Sequence, residues 1–122
     1  MGVWGADNFE NDSALDFVAN SVIKPMTACL QRAISHPELA DPDEMSDEIM
    51  AAVQILVVVC DTINAAPPSL RIVEQCRDIC LLRWDAGIDA FEPKAGYKSE
   101  RRKIIADTFE KLVRICQVWE EN

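Results

Sequence analysis

The residues near the start of the chain that could do chemistry are an indole and several carboxylates. Trp4 is followed by Glu10, Asp12 and Asp16, and the last two lie at the expected start of a helix. The positive end of a helix dipole keeps carboxylates ionised, which makes them poor general acids. The cluster of Trp4, Glu10 and Asp12 therefore predicts binding of a partner, a small molecule or a metal ion, and it argues against acid–base catalysis.

The same segment also has a purely structural interpretation. Gly2 and Gly5 permit tight backbone turns, and Trp4 and Phe9 are large apolar side chains on a segment too short to form an element of its own. In this interpretation, which we favour, the two aromatic side chains anchor an N-terminal hook in a groove between helices. Asn11, or the residue after it, then satisfies free amides in the first helical turn.

Five cysteines are a second set of chemically active side chains, and their number is odd. Cys76 and Cys80 are spaced i,i+4, so both thiols project from one side of a helix and could ligate a metal with Cys60 or Cys116. The C-x2-C spacing of structural zinc sites is absent, and free cysteine packs as a small apolar residue. We therefore expect all five thiols in the core and no cofactor. No signal peptide is recognisable, which predicts a cytoplasmic protein with reduced thiols.

The charge of the chain is negative and unevenly placed. The net charge is −9, and residues 1–48 contribute −8 of it, with ten acidic and two basic side chains. Such a surface repels phosphate backbones, so nucleic acid is not an expected partner. An acidic loop does not match a calcium-binding EF-hand, because Met45 and Ser46 stand where an acid or Asn and a Gly are needed. We expect a solvated loop, with a surface for a protein partner as the alternative. Its acidic residues are Glu38, Asp41, Asp43, Glu44, Asp47 and Glu48.

One cluster of basic residues, with Tyr97 among them, lies within residues 94–103. It could bind an anion, but pairing with acidic side chains such as those of residues 38–48 is favoured over a nucleic-acid site, because the cluster contains a single aromatic side chain. The common catalytic patterns are absent: His36 is the only histidine, and no HExxH, P-loop or GxGxxG sequence occurs. The basic residues are Lys94, Lys98, Arg101, Arg102 and Lys103.

The spacing of apolar residues predicts that helices position these residues. From Asp12 to about Ser35, apolar residues recur at steps of three and four, with Pro25 inside the pattern. Proline removes a backbone donor, so we expect this helix to be kinked or split there. A second apolar run, from Met45 to about Ile63, is expected to be a central helix, although its valine-rich end is also typical of a buried strand.

Two further helices complete the pattern. Residues 65–68 break the chain, and a proline in the first helical position is expected to begin a helix that ends near Gly87. Ser99 is expected to cap the last helix after an irregular stretch. The expected i,i+4 ion pairs in the last helix are Asp107–Lys111 and Glu110–Arg114. The sequence thus predicts one all-α domain over residues 1–122, an antiparallel bundle of about four helices with the N-terminal hook packed on it.

The first 17 residues carry a resemblance to a known family. They resemble the opening of a small bacterial family catalogued as domain of unknown function 4259, whose chains begin M-G-x-W-G and continue F-E-N-D-D-A and L-D-W. This chain differs at Asp7, Asn8, Ser13 and Phe17. The resemblance implies a small, soluble, bacterial and helical protein, and it brings no activity with it. The matching residues are Gly2, Trp4, Gly5, Phe9, Glu10, Asn11, Asp12, Ala14, Leu15 and Asp16.

These observations favour a non-enzymatic protein-interaction module. One alternative is an immunity- or antitoxin-like inhibitor of a basic effector, and another is the small-molecule or metal-binding module built on Trp4, Glu10 and Asp12. Trp119 and any exposed part of the valine-rich helix could also pair two copies as a homodimer. No apolar run approaches the roughly 20 residues of a membrane span, so no membrane association is expected.

Overall fold

The apolar residues at helical spacing form five α-helices in the computed structural model, which describes residues 2–121. The helices are α1 (Asp12–Val18), α2 (Lys24–Ser35), α3 (Ser46–Thr62), α4 (Leu70–Gly87) and α5 (Ala95–Glu121). Short 3₁₀ turns cover Pro37–Ala40 and Ile88–Phe91. Within residues 2–121, β-type pairing is limited to one isolated bridge between Val3 and Asn11. The all-α prediction is therefore confirmed, and the valine-rich run is helix α3.

The first helical segment is interrupted directly before Pro25. Residues Ala19–Ile23 form a π-helical turn between α1 and α2, closed by the Lys24 N–H, which donates to the Ala19 carbonyl. A π turn inserts one extra residue into a helical ladder. It lies next to the proline, whose missing N–H would leave a carbonyl of a regular α-helix without its donor. The predicted division of this helix is thus achieved without a loop.

Contacts between helices define the arrangement of the bundle. The Arg101 side chain lies 3.6 Å from the Asp47 carboxylate. This contact joins the second turn of α5 to the first turn of α3, so these two helices run in the same direction. The Leu70 N–H donates to the Glu120 carboxylate, so α4 runs antiparallel to α5. Helix α2 packs against α3 and α4, and α5 packs against the same two helices. The four long helices therefore form the expected bundle.

The core is built from the facing stripes of these four helices. Leu30 of α2, Leu56 of α3, Val73 of α4 and Phe109 of α5 are fully buried. Burial of each such side chain contributes about 1.5–3 kcal/mol. Helix α3 was expected to be central, and it contributes buried residues along its length, but Val58 is 53% exposed, so part of its apolar surface faces solvent. No helix within residues 2–121 has the length and apolar character needed to cross a bilayer.

Two helix starts differ from the sequence expectations. Helix α4 begins after Ser69, whose hydroxyl accepts the Ile72 N–H, so the preceding prolines lie outside the helix and not in its first turn. Helix α5 begins at Ala95, one turn before the predicted cap, and the Ser99 hydroxyl donates to the Ala95 carbonyl. The chain reverses at Glu92, which has a left-handed φ of 50°, and this reversal allows the last helix to begin early.

Candidate functional site

The N-terminal residues fold back on themselves as a small hairpin. Val3 and Asn11 form the antiparallel bridge. The Trp4 N–H donates to the Glu10 carbonyl at 3.0 Å, and the Asp12 N–H donates to the Gly2 carbonyl at 2.6 Å. We call residues 2–12 the N-terminal hairpin. The Asn11 side chain accepts the Ala14 N–H at 2.8 Å, so the end of the hairpin also caps α1, as the sequence predicted.

The glycines of the hairpin make room for carboxylates. A methyl group on Gly2 would overlap the carboxylate of Asp12, and a methyl group on Gly5 would overlap that of Glu10. The Glu10 carboxylate also accepts the Asp7 N–H at 3.3 Å. Close approach to side-chain oxygens therefore explains why glycine suits both positions, which sequence reasoning had assigned to tight turns.

An open cleft of about 490 Å³ separates the hairpin from the end of α3. Trp4 is 54% exposed and Phe9 is 41% exposed, and both line the cleft. The expectation that these two side chains are buried as anchors is wrong, because the hairpin lies at the edge of the bundle and turns them toward solvent. The cleft is lined by Trp4, Asp7, Asn8, Phe9, Glu10, Thr62, Ile63 and Asn64.

The structure brings together only part of the predicted cluster. Trp4 and Glu10 share the cleft, whereas Asp12 turns toward Gly2 and does not line it. Asp16 is exposed on α1. Asp7 takes the place of Asp12 as the second carboxylate of the cleft. Its position in the turn between Gly5 and Glu10 could have indicated this, but no sequence signal pointed to the wall formed by residues 62–64.

The chain matches the family described as Domain of unknown function (DUF4259) over residues 2–122. It belongs to this family. The match extends the resemblance from the N-terminal hairpin to the whole bundle. No curated protein and no solved structure matched the chain.

In this DUF4259 chain, one carboxylate of the acidic loop is closely paired and two others lie near basic side chains. Arg83 donates two hydrogen bonds to Asp41, at 2.6 and 3.0 Å, and these bonds raise the pKa of the guanidinium. Asp47 lies beside Arg101, and Glu38 lies 3.7 Å from His36. The remaining carboxylates of the loop are exposed, and they are Asp43, Glu44 and Glu48. The side chains of Asp47 and Glu38 stay largely exposed, so Asp41 is the one acidic residue of the loop that is closely paired, and the partner surface stays a prediction.

The basic cluster is largely neutralised by acidic side chains of the same chain. Lys98 pairs with Asp89 at 2.7 Å, and Arg102 donates two hydrogen bonds to Asp85, both at 3.0 Å. The predicted ion network is thus confirmed, although Arg101 is the member of the cluster that pairs with the acidic loop. The i,i+4 pairs of α5 are Lys103–Asp107 and Glu110–Arg114, so the predicted partner Lys111 is replaced by Lys103.

The cysteines occupy the interior as free thiols. Cys76 and Cys80 lie with their sulfurs 3.8 Å apart, and this contact together with burial raises the pKa of Cys76. Burial raises the pKa of Cys60 to about 11. The Cys116 thiol donates to the Pro68 carbonyl, and burial raises its pKa to about 12. These three thiols are protonated at neutral pH, which makes them weak nucleophiles and weak metal ligands.

Two further sequence hypotheses can be placed on the structure. Within residues 2–121 no group of three or more metal-ligating side chains occurs. Cys29 is half-buried, so the expectation of five core thiols holds fully for four of them. Trp119 is partly exposed and lines a groove of about 270 Å³ with Asp61 and Arg114. The homodimer predicted from Trp119 and any exposed part of the valine-rich helix stays a prediction, and Val58 is an exposed residue of that helix.

Proposed function

We propose that this chain is a non-enzymatic protein-interaction module that binds a basic segment of a partner protein in the N-terminal cleft. One observation carries the proposal. Two half-exposed aromatic side chains, Trp4 and Phe9, share an open cleft with the carboxylates of Asp7 and Glu10. Among residues 2–121, no Lys, Arg or His side chain lines this cleft.

The chemistry of the cleft suits arginine and lysine. A guanidinium or ammonium over the indole of Trp4 would gain a cation–π interaction, worth about 0.5–2 kcal/mol. Asp7 and Glu10 can pair with the same cation. Phe9 offers an apolar contact for the methylene stem of a basic side chain, which is apolar up to its charged end.

Long-range charge supports the same kind of partner. Residues 1–48 have a net charge of −8, and the hairpin and α1 carry four carboxylates before the first basic residue, Lys24. A field of one sign steers an oppositely charged partner and raises its association rate, most strongly at low salt. An inhibitor of a basic effector would use this surface in the same way.

Peptide binding accounts for the cleft better than the two small-ligand alternatives do. A metal site needs more ligands than the two carboxylates of the cleft, which makes a metal-binding module the weaker proposal. In the described part of the chain no His or Cys lines the cleft, which weighs against nucleophilic catalysis there. We place the module in the bacterial cytoplasm, because five free cysteines fit a reducing compartment.

The test is a calorimetric titration with a peptide of alternating arginine and glycine, compared with its citrulline counterpart. We expect the arginine peptide to bind, more weakly as salt rises, and the neutral peptide not to bind. Trp4→Ala should weaken binding by at least about tenfold, and D7N and E10Q by several-fold. I104A and E100Q, two exposed changes on α5, are the matched controls. Equal binding of the two peptides, or full affinity in the Trp4→Ala variant, would overturn the proposal.

A further inference from the structure

A second cavity lies at the opposite end of the bundle from the N-terminal cleft. It encloses about 230 Å³ between the start of α3, the end of α4 and the chain that leads into α5. Its walls are the rings of Pro42, Phe91, Pro93 and Tyr97. Ser46 begins α3 and Thr62 ends it, so the two sites are separated by about 24 Å along this helix.

Two largely buried residues with polar side-chain atoms line this cavity. Trp84 is 3% exposed and Ser46 is 8% exposed, and both line the cavity. Among residues 2–121 neither the Trp84 indole N–H nor the Ser46 hydroxyl makes a hydrogen bond. No unpartnered side-chain polar atom in that part of the chain is sealed from solvent, so both groups reach solvent, and this cavity is an opening that both residues line. A ligand bound in the cavity can supply an acceptor to the Trp84 indole N–H in place of water.

The cavity continues into a longer groove. A neighbouring depression of about 610 Å³ shares Pro42 and Phe91 with it and extends along the exposed side of α4, past Leu82. At the junction, a methyl group on Gly87 would approach the Pro42 ring to 2.8 Å. The absence of a side chain at Gly87 therefore lets the loop pack tightly against α4 and keeps the groove in its present shape.

We propose that this groove binds a proline-rich segment of a partner protein in the polyproline II conformation. Such a segment is preformed and has no internal hydrogen bonds, so its carbonyls are free to accept. Its rings dock between aromatic side chains in grooves of this kind. Phe91 and Tyr97 provide the aromatic walls, and Trp84 provides the donor for a ligand carbonyl. The exposed carboxylate of Asp43 lines the groove and favours an arginine beside the prolines.

The test follows the indole N–H resonances by NMR while a polyproline peptide ending in arginine is added. We expect the Trp84 indole signal to move downfield on binding and the Trp119 signal to stay in place. Tyr97→Ala, at an exposed position, should weaken binding by at least about tenfold. S46A should weaken it less, and Ile104→Ala should leave it unchanged.

Several results would overturn the proposal. These are an unmoved Trp84 signal, an equal shift with a Gly-Ser peptide of the same length and charge, or full affinity in the Tyr97→Ala variant. The Trp4→Ala variant should bind the polyproline peptide normally. A failure at this groove is therefore separable from a failure at the N-terminal cleft, because each site has its own peptide and its own variant.

Discussion

In the N-terminal motif, local packing and hydrogen bonding explain the residue type at several positions. Gly2 and Gly5 leave room for the carboxylates of Asp12 and Glu10, and Asn11 caps α1. The motif is therefore partly structural, as its capping residue predicted. Its aromatic side chains do not anchor the hairpin between helices as expected, because Trp4 and Phe9 face the cleft. Glycine and cap positions follow from local geometry, whereas the exposure of a ring depends on what the rest of the chain places beside it.

The cysteines should differ in reactivity because they differ in burial. We expect iodoacetamide to alkylate the half-buried Cys29 at least about tenfold faster than the other four in the folded protein, because the others are shielded by the core. Mass spectrometry of digested protein would give the rate at each site. Under denaturing conditions the five rates should converge. Labelling of Cys76 or Cys80 as fast as Cys29 would show that α4 opens readily.

At the scale of elements, α1 depends on its cap. Asn11→Ala removes the acceptor for the Ala14 N–H and should lower the free energy of unfolding by about 1 kcal/mol. Chemical denaturation would measure the change. S13A, an exposed change within α1, is the control and should have little effect. An unchanged midpoint in the Asn11→Ala variant would mean that the hairpin, and not the cap, holds the start of α1.

Helix α3 has a buried side and an exposed side that the sequence did not separate. Leu56→Ala should lower the free energy of unfolding by about 2–5 kcal/mol, because it opens a cavity in the core. Val58→Ala, two residues away and 53% exposed, should change it by less than about 0.5 kcal/mol. Thermal denaturation of the two variants checks the difference. If both variants lost a similar amount of unfolding free energy, the burial of Leu56 and the exposure of Val58 would be contradicted.

Helix types were easier to predict than helix starts. The apolar spacing identified every long helix, and Pro25 marked the division of the first one, because a missing N–H has a local consequence. The start of α5 was missed. Ser99 was expected to cap α5, but a serine alone is a weak signal for a helix start. The chain reversal at Glu92 and the pairing of Lys98 with Asp89 stabilise an earlier first turn.

At the scale of the whole molecule, the buried thiols make stability depend on alkaline pH. The pKa of Cys60 rises from 9.0 to about 11, and that of Cys116 from 9.0 to about 12. Above pH 9 the unfolded chain releases thiol protons that the folded chain keeps, so the free energy of unfolding should fall as the pH rises toward 11. Urea denaturation at several pH values would measure the decline.

A matched variant isolates the contribution of one thiol. Cys60→Ala should show a shallower decline between pH 9 and 11 than the unmodified protein, since one group no longer titrates differently in the two states. All other ionisable groups are present in both proteins and cancel in the comparison. Identical slopes would mean that Cys60 is not shielded as the structure indicates.

The sequence by itself determined the features that depend on neighbours along the chain. These are the helical stripes, the capping of α1 by Asn11, the excess of acid in residues 1–48 and the opening motif of the DUF4259 family. Periodicity reports which face of a helix is apolar, because residues three and four apart share a face.

Only the tertiary structure decided where open surfaces lie. The N-terminal cleft joins Trp4 to residues 62–64, and the groove at the other end joins Pro42 to Trp84. It also showed that Arg83 neutralises Asp41. Pairs so distant in the chain meet through the packing of whole helices. Neither the solvent exposure of a ring nor the partner of a charge can be read from the spacing of residues.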